Sequence, residues 1–87
     1  MAKIVKEWPG TLVSIAVEVG RDDANKEQTH VHVYKNGRRT DARISLGKCY
    51  DTGINDKEYD EAERLFNQNL REIERYYQEV KDGKHDG

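Results

Sequence analysis

The chain's architecture turns on the stretch His30-Val31-His32-Val33-Tyr34-Lys35-Asn36-Gly37-Arg38-Arg39-Thr40-Asp41-Ala42-Arg43-Ile44-Ser45-Leu46. Asn36-Gly37 lies between two alternating runs, and this dipeptide is the strongest short-range hairpin signal because a type I′ turn needs positive φ at both central residues. A two-residue loop there pairs Lys35 with Arg38, Tyr34 with Arg39, Val33 with Thr40, His32 with Asp41, Val31 with Ala42 and His30 with Arg43. Side chains alternate along a strand, so the register sorts them onto two faces. Val31, Val33, Thr40, Ala42, Ile44 and Leu46 make the expected core face. His30, His32, Tyr34, Arg39, Asp41 and Arg43 make a polar face whose members are all able to bind something.

Upstream, Thr11 to Val19 alternates, with Val13, Ile15, Val17 and Val19 on one side. Its other side, Ser14, Ala16 and Glu18, joins the histidine-bearing face when this strand pairs with the hairpin. Trp8-Pro9-Gly10 punctuates its start, and residues 3–8 offer a further strand. Gly20 to Thr29, rich in charges and amides, reads as a polar mobile loop. Past Gly47, Lys48-Cys49-Tyr50 reads as a short fourth strand and Asp51-Thr52-Gly53 as a turn.

Asn55 followed by Glu58 is a capping-box start, and the acids Asp56, Glu58, Asp60 and Glu61 suit the positive end of a helix dipole. Tyr59, Ala62, Phe66, Leu70, Ile73, Tyr77 and Val80 then recur three or four apart as one apolar stripe, widened by Leu65 and Tyr76. Asn67-Gln68-Asn69 is the weakest helical stretch, so the pattern allows one long helix or two joined by a kink. Gly83 suits a C-terminal cap, and residues 83–87, with His85, are expected to fray. The fold class that follows is α+β: a single domain over residues 1–82, with an antiparallel sheet of three or four strands packed by one face on the C-terminal helix, long or split. Too few apolar residues remain to cover the second face, so the histidine face is expected to be open.

A chain of 87 residues is one domain and buries only about 60% of its unfolded surface. Apolar residues at 34% against charged residues at 37% make the core thin, so partner contacts or self-association would add stability. Unpaired outer strands make a homodimer reasonable. No apolar run approaches a membrane span and the N-terminus lacks a signal-peptide core, so a cytoplasmic location without a membrane partner is expected. Cys49 stands alone, which excludes an internal disulfide and fits a reducing compartment; a lone cysteine is more often a small buried side chain than a nucleophile. Charge is uneven within the net −2. Residues 35–48 hold five bases and one acid, whereas residues 51–82 hold ten acids and five bases, a dipolar surface that steers anions to one side and basic partners to the other.

The His-Val-His-Val-Tyr-Lys-Asn-Gly run from His30, the Ala-Arg-Ile-Ser-Leu return from Ala42 and the acidic helix ending Tyr-Tyr-Gln-Glu-Val-Lys-Asp-Gly at Gly83 together resemble the domain-of-unknown-function family 4160. The resemblance covers about residues 11 to 84 and is best at His30 and His32. It implies a short bacterial hairpin-and-helix protein of a mobile-element or toxin-antitoxin-like system. It carries no catalytic residues over, since none is established for that family.

His30 and His32 alternate by two and point the same way, as a His-x-His metal pair would, with Asp41 as a third ligand or as the carboxylate that orients an imidazole. Two histidines and one aspartate make a poor site, and a surface His–Asp hydrogen bond is the simpler expectation, so no metal and no cofactor is assigned. A His-dependent nuclease would use the same imidazoles with Tyr34, Arg39 and Arg43, but no strict catalytic motif accompanies them, and no catalytic residue is assigned. As a binding surface, Tyr34 beside Arg39 and Arg43 can stack a base and neutralise phosphates. Alternatively Glu58, Glu61, Glu63, Glu72, Glu74 and Glu79, mostly off the stripe, can mimic nucleic-acid charge in the manner of a phage-type anti-defence inhibitor that binds an effector protein or a nucleotide signal. The expected function is therefore a small binding or regulatory module acting through the polar face by contact. A protein partner is expected first, and a nucleotide or short RNA second.

Overall fold

Asn36 and Gly37 both have positive φ, 54° and 76°, and the type I′ reversal stands where the sequence places it. The computed structural model describes residues 4–84. In chain order it contains β1 (Ile4–Pro9), β2 (Ser14–Glu18), α1 (Arg21–Lys26), β3 (His30–Lys35), β4 (Arg38–Ser45), α2 (Asp56–Gln68) and α3 (Leu70–Lys81). The strands form one antiparallel sheet in the order β1-β2-β3-β4, and the helices cover one face, so the fold is α+β. No helix among the described residues is long and apolar enough to cross a membrane.

The hairpin register follows the expected pairing for two steps only. Lys35 faces Arg38 and Tyr34 faces Arg39, but His32 then faces Arg43, Val31 faces Ile44 and His30 faces Ser45. The expected partners Thr40, Asp41 and Ala42 for Val33, His32 and Val31 are corrected by a bulge in β4, where those three residues together span the single Val33. The Thr40 side chain explains it. Its hydroxyl donates to the Val33 carbonyl at 2.7 Å and accepts from the Ala42 amide at 3.1 Å, replacing the backbone bond that a regular ladder would make there. Two extra residues preserve the alternation, so Ala42 and Ile44 remain buried beside Val31 and Val33 while Arg43 stays on the polar side. Leu46, expected in the core, is 54% exposed, because the chain leaves the sheet after Ser45.

Ile15 pairs with both Trp8 and Val33, and this apolar face, continued by Val17, Val31 and Ile44, packs on Ala62, Phe66, Ile73, Tyr77 and Val80. Asn55 and Glu58 form the capping box, their side chains exchanging bonds with each other's backbone amides at 2.8 and 2.9 Å. Glu58 also takes the Lys35 ammonium at 2.8 Å, which ties the helix start to the hairpin tip and holds its carboxyl below the usual range, with the Asn55 amide as the second cause. Of the two helical readings the split one is found. Asn69 takes a non-helical ψ of 13°, and its side-chain amide donates to the Leu65 carbonyl at 2.9 Å.

Some expectations along the chain require correction. Thr11–Leu12–Val13 does not belong to β2; the Leu12 and Val13 amides donate instead to Glu61 Oε1, at 2.7 and 3.0 Å. Gly10 is needed for this approach, since a Cβ there would collide with Glu61 Oε1 and the Val13 carbonyl. Residues 21–26 form a short helix rather than a loop: Asp22 and Asp23 in its first turn and Lys26 in its last suit its dipole, and Ala24 is its one buried side chain. One apolar residue in six leaves no stripe to read. Cys49 is exposed, not buried. Gly83, at φ 78°, closes α3 with Gly83 and Lys84 amides donating to Val80 and Glu79, while residues 85–87 of the expected frayed tail lie outside the described residues.

The outer strands are β1 and β4. β1 is bulged between Ile4 and Lys6 and ends in Pro9, and a two-fold pairing centred on Lys6 or Glu7 would set like charges opposite each other. β4 is met by the returning chain, where Arg43 and Tyr50 exchange both backbone bonds at 2.8 Å. Thr40→Val should lower stability by about 1 to 3 kcal/mol, since it leaves the Val33 carbonyl and the Ala42 amide without the hydroxyl. Urea denaturation measures it, and an unchanged midpoint would show that the bulge does not depend on Thr40.

Candidate functional site

The polar face is less open than the sequence suggests. Ser14 pairs with Tyr34 and Ala16 with His32, so β2 does contribute Ser14, Ala16 and Glu18 to this face. His30 and His32, however, are only 6% and 7% exposed. Their rings meet edge to face with centroids 5.1 Å apart. His30 sits at the end of the sheet, where Tyr77 reaches it from α3: its Nδ1 lies 2.7 Å from the Tyr77 hydroxyl and 3.1 Å from the Gln28 carbonyl. Burial is the main cause raising the Tyr77 hydroxyl above the ordinary range, so it stays a neutral donor or acceptor. The open histidine pair is thus corrected to one imidazole locked between a helix and a loop, and a second facing a cleft.

Tyr34 separates from the rest. Its hydroxyl donates to Glu18 at 2.9 Å, Arg39 lies 3.6 Å from the same carboxylate oxygen, and burial followed by the bond to Glu18 raises the Tyr34 hydroxyl. Asp41 does not face His32; the bulge carries it to an exposed position.

The remaining predicted residues come together around Arg43. Opposite His32 on one side, Arg43 gives its backbone to Tyr50 on the other, and its guanidinium lies over the Tyr50 ring, 5.3 Å from the centroid. No carboxylate among the described residues forms an ion pair with Arg43. Arg43 and Tyr50 together divide two cavities. The smaller, about 280 Å³, is lined also by His32, Arg39, Thr40, Asp41 and Thr52. The larger, about 390 Å³, is lined also by Glu27, Gln28, His30, Ser45, Gly47 and Lys48. The turn that brings Lys48 there is closed by the Ser45 hydroxyl, which donates to the Lys48 carbonyl and accepts from its amide.

Tyr50, Thr52 and Lys48 are the residues that sequence reasoning missed. The short strand expected at 48–50 shrinks to one bridge at Tyr50, and only the Arg43–Tyr50 pairing tells that the ring, 41% exposed, joins the polar face. No sequence signal marks that pairing.

The His32 imidazole has no hydrogen-bond partner among the described residues and is held down from 6.5 to about 4, first by burial, then by Arg39, His30 and Arg43. At neutral pH it is an uncharged ring offering one donor and one acceptor to the cleft. The surrounding arginines oppose a cation there, and no group of three His, Cys, Asp or Glu among the described residues is placed to hold a metal. The site fits an anion with polar substituents.

Comparison with protein-family models, with curated proteins and with solved structures returns no match. The resemblance to the domain-of-unknown-function family 4160 rests on the quoted residues alone.

The unfolded chain protonates at its ordinary imidazole value, above that of folded His32, so this histidine contributes stability above pH 6.5 that is lost as pH falls toward 4. The loss amounts to no more than about 3 kcal/mol. His32→Gln should show a shallower fall in melting temperature over that window than the parent; parallel profiles would place the titration elsewhere.

Proposed function

We propose that this chain is a small binding module that works by contact, its polar sheet face capturing an anionic group of its partner at Arg43. The observation that carries the reading is an arginine with no carboxylate partner among the described residues, stacked on Tyr50 and placed at the boundary of two cavities. An arginine so placed presents several fixed donors to a phosphate or carboxylate. A regulatory role in a mobile-element or toxin-antitoxin-like system, in the cytoplasm, is the setting that the family resemblance suggests for such a module.

Catalysis is the weaker reading. A histidine that takes up a proton only near pH 4 has none to give as an acid at neutral pH and is a poor base, while Nδ1 of His30 is engaged with Tyr77 and Gln28. In the acidic-mimic reading most of the carboxylates are engaged in contacts within the chain. Glu58 holds Lys35, Glu61 holds the Leu12 and Val13 amides, Glu72 accepts from Trp8 at 2.7 Å, Glu63 from Tyr59 at 3.4 Å, and Glu79 lies 3.6 Å from Arg75. Glu58, Glu61 and Glu72, bound to other elements, are poorly placed to lead an encounter with a basic groove.

Titration with pyrophosphate and with a short Asp/Glu peptide, followed by amide chemical shifts, tests the reading. Shifts should concentrate at His32, Arg43, Tyr50 and Thr52, and Arg43→Gln should weaken binding about tenfold or more, the loss expected for one charge-assisted contact. If neither anion moves these amides, the proposal is wrong.

A further inference from the structure

Building on the reading of this face as an anion site, we infer that its occupant is a single-stranded nucleic acid, taken as two successive nucleotides with their connecting phosphodiester at Arg43.

The division of the site is the first argument. The two cavities, about 390 and 280 Å³, share Arg43 and Tyr50 as their common wall. Small-molecule sites span about 300 to 1,000 Å³, so each compartment lies near the lower end of that range and suits one nucleotide. A ligand filling both must be two compact units joined by a linker that passes the wall. In a dinucleotide that linker is a phosphodiester, the group that the planar guanidinium fork recognises.

The lining is the second. Each cavity has its own further cation, Lys48 in the larger and Arg39, ion-paired with Glu18, in the smaller, with Arg43 common to both. Of these three, Lys48 and Arg43 are the two cations without a carboxylate partner among the described residues, which suits the linking phosphodiester and one neighbouring phosphate. Tyr50 and the guanidinium above it offer flat surfaces at the wall, and base–aromatic stacking is sequence-tolerant because every base has a π-face. Neutral groups stand where sugar and base edges would lie: Gln28 in one compartment, and His32 and Thr52 in the other. Glu27 and Asp41, one per compartment, can accept from a ribose hydroxyl or an exocyclic amine, donors that Asp and Glu side chains lack. This is where an acidic peptide fits less well than a nucleic acid.

Scale is the third. The chain carries a net charge of −2, with ten acids among residues 51–82, so affinity cannot come from diffuse attraction along a long strand. It has to come from the two compartments.

The test is calorimetric titration of the full chain with 5′-phosphorylated oligoadenylates of one to four residues. Affinity should rise about tenfold or more from one to two residues, the gain of one stacked base and one phosphate, and by less than about threefold thereafter. Arg43→Gln and Tyr50→Leu should each weaken the dinucleotide about tenfold, with unchanged melting temperatures showing that the variants fold. Amide shifts of the unsubstituted protein with the dinucleotide should appear at Arg43, Lys48, Tyr50 and Thr52, which reads the site without any substitution. Equal affinity for one and two residues, or steady growth with length, overturns the inference. So does binding that ignores both variants, or shifts confined to other residues. If pyrophosphate or the acidic peptide binds at Arg43 and the oligoadenylates do not, the inference fails and the anion-binding reading stands; if no anion binds, both fall.

Discussion

One hydroxyl sets the geometry of the polar face. Thr40 Oγ1 bridges the Val33 carbonyl and the Ala42 amide, and across that bridge β4 gains two residues on β3. A gain of one would have turned Ala42 and Ile44 to water and Arg43 into the core; a gain of two leaves both faces sorted and only moves the partners. Arg43 then stands opposite His32, and since its own amide and carbonyl point outward to Tyr50, it couples the sheet to the loop that walls the site. The placement of Arg43 in the wall shared by the two cavities, beside His32, follows from that displacement.

The rest of the molecule holds this face by using charge internally. Glu61 satisfies two loop amides beneath Gly10, Glu58 joins helix start to hairpin tip, and Glu72 fixes Trp8 between β1 and α3, where its ring also meets Tyr76 edge to face at 6.0 Å. A small domain with a thin apolar core gains from such bonds because each satisfies backbone or side-chain donors that would otherwise lose water unpaired. The consequence for function is an asymmetry. Acids on the helices are largely spoken for, whereas Arg43, on the outer strand β4 of the sheet's far face, has no carboxylate partner among the described residues.

The turn, the face assignment, the capping box and the apolar stripe were legible because each is a local pattern with a period or a fixed offset: Asn36-Gly37, the alternation of Val31 and Val33, Asn55 with Glu58, and Tyr59 through Val80. What escaped reading was non-local. The Thr40 bridge depends on a side chain substituting for an amide, which no alternation encodes, and it sent Asp41 away from His32. The α1 helix rests on one buried alanine and its end charges. Tyr50 joins the site through a single pairing with Arg43, and Tyr77 reaches His30 from 47 residues away. The predicted residues His30, His32, Arg39, Asp41 and Arg43 do line the two cavities, while Tyr34 is drawn off by Glu18, a partner visible only once β2 lies beside β3.

The displaced register can be read directly in solution. Arg43 turns its backbone bonds toward Tyr50, so His32 and Arg43 form a non-hydrogen-bonded pair, the arrangement that brings opposing α-carbons to about 4.5 Å. A two-dimensional nuclear Overhauser spectrum should show a strong Hα–Hα cross-peak between His32 and Arg43 and none between His32 and Asp41. The reverse pattern would restore the regular hairpin, move Arg43 away from the cleft of His32, and contradict the site built on it.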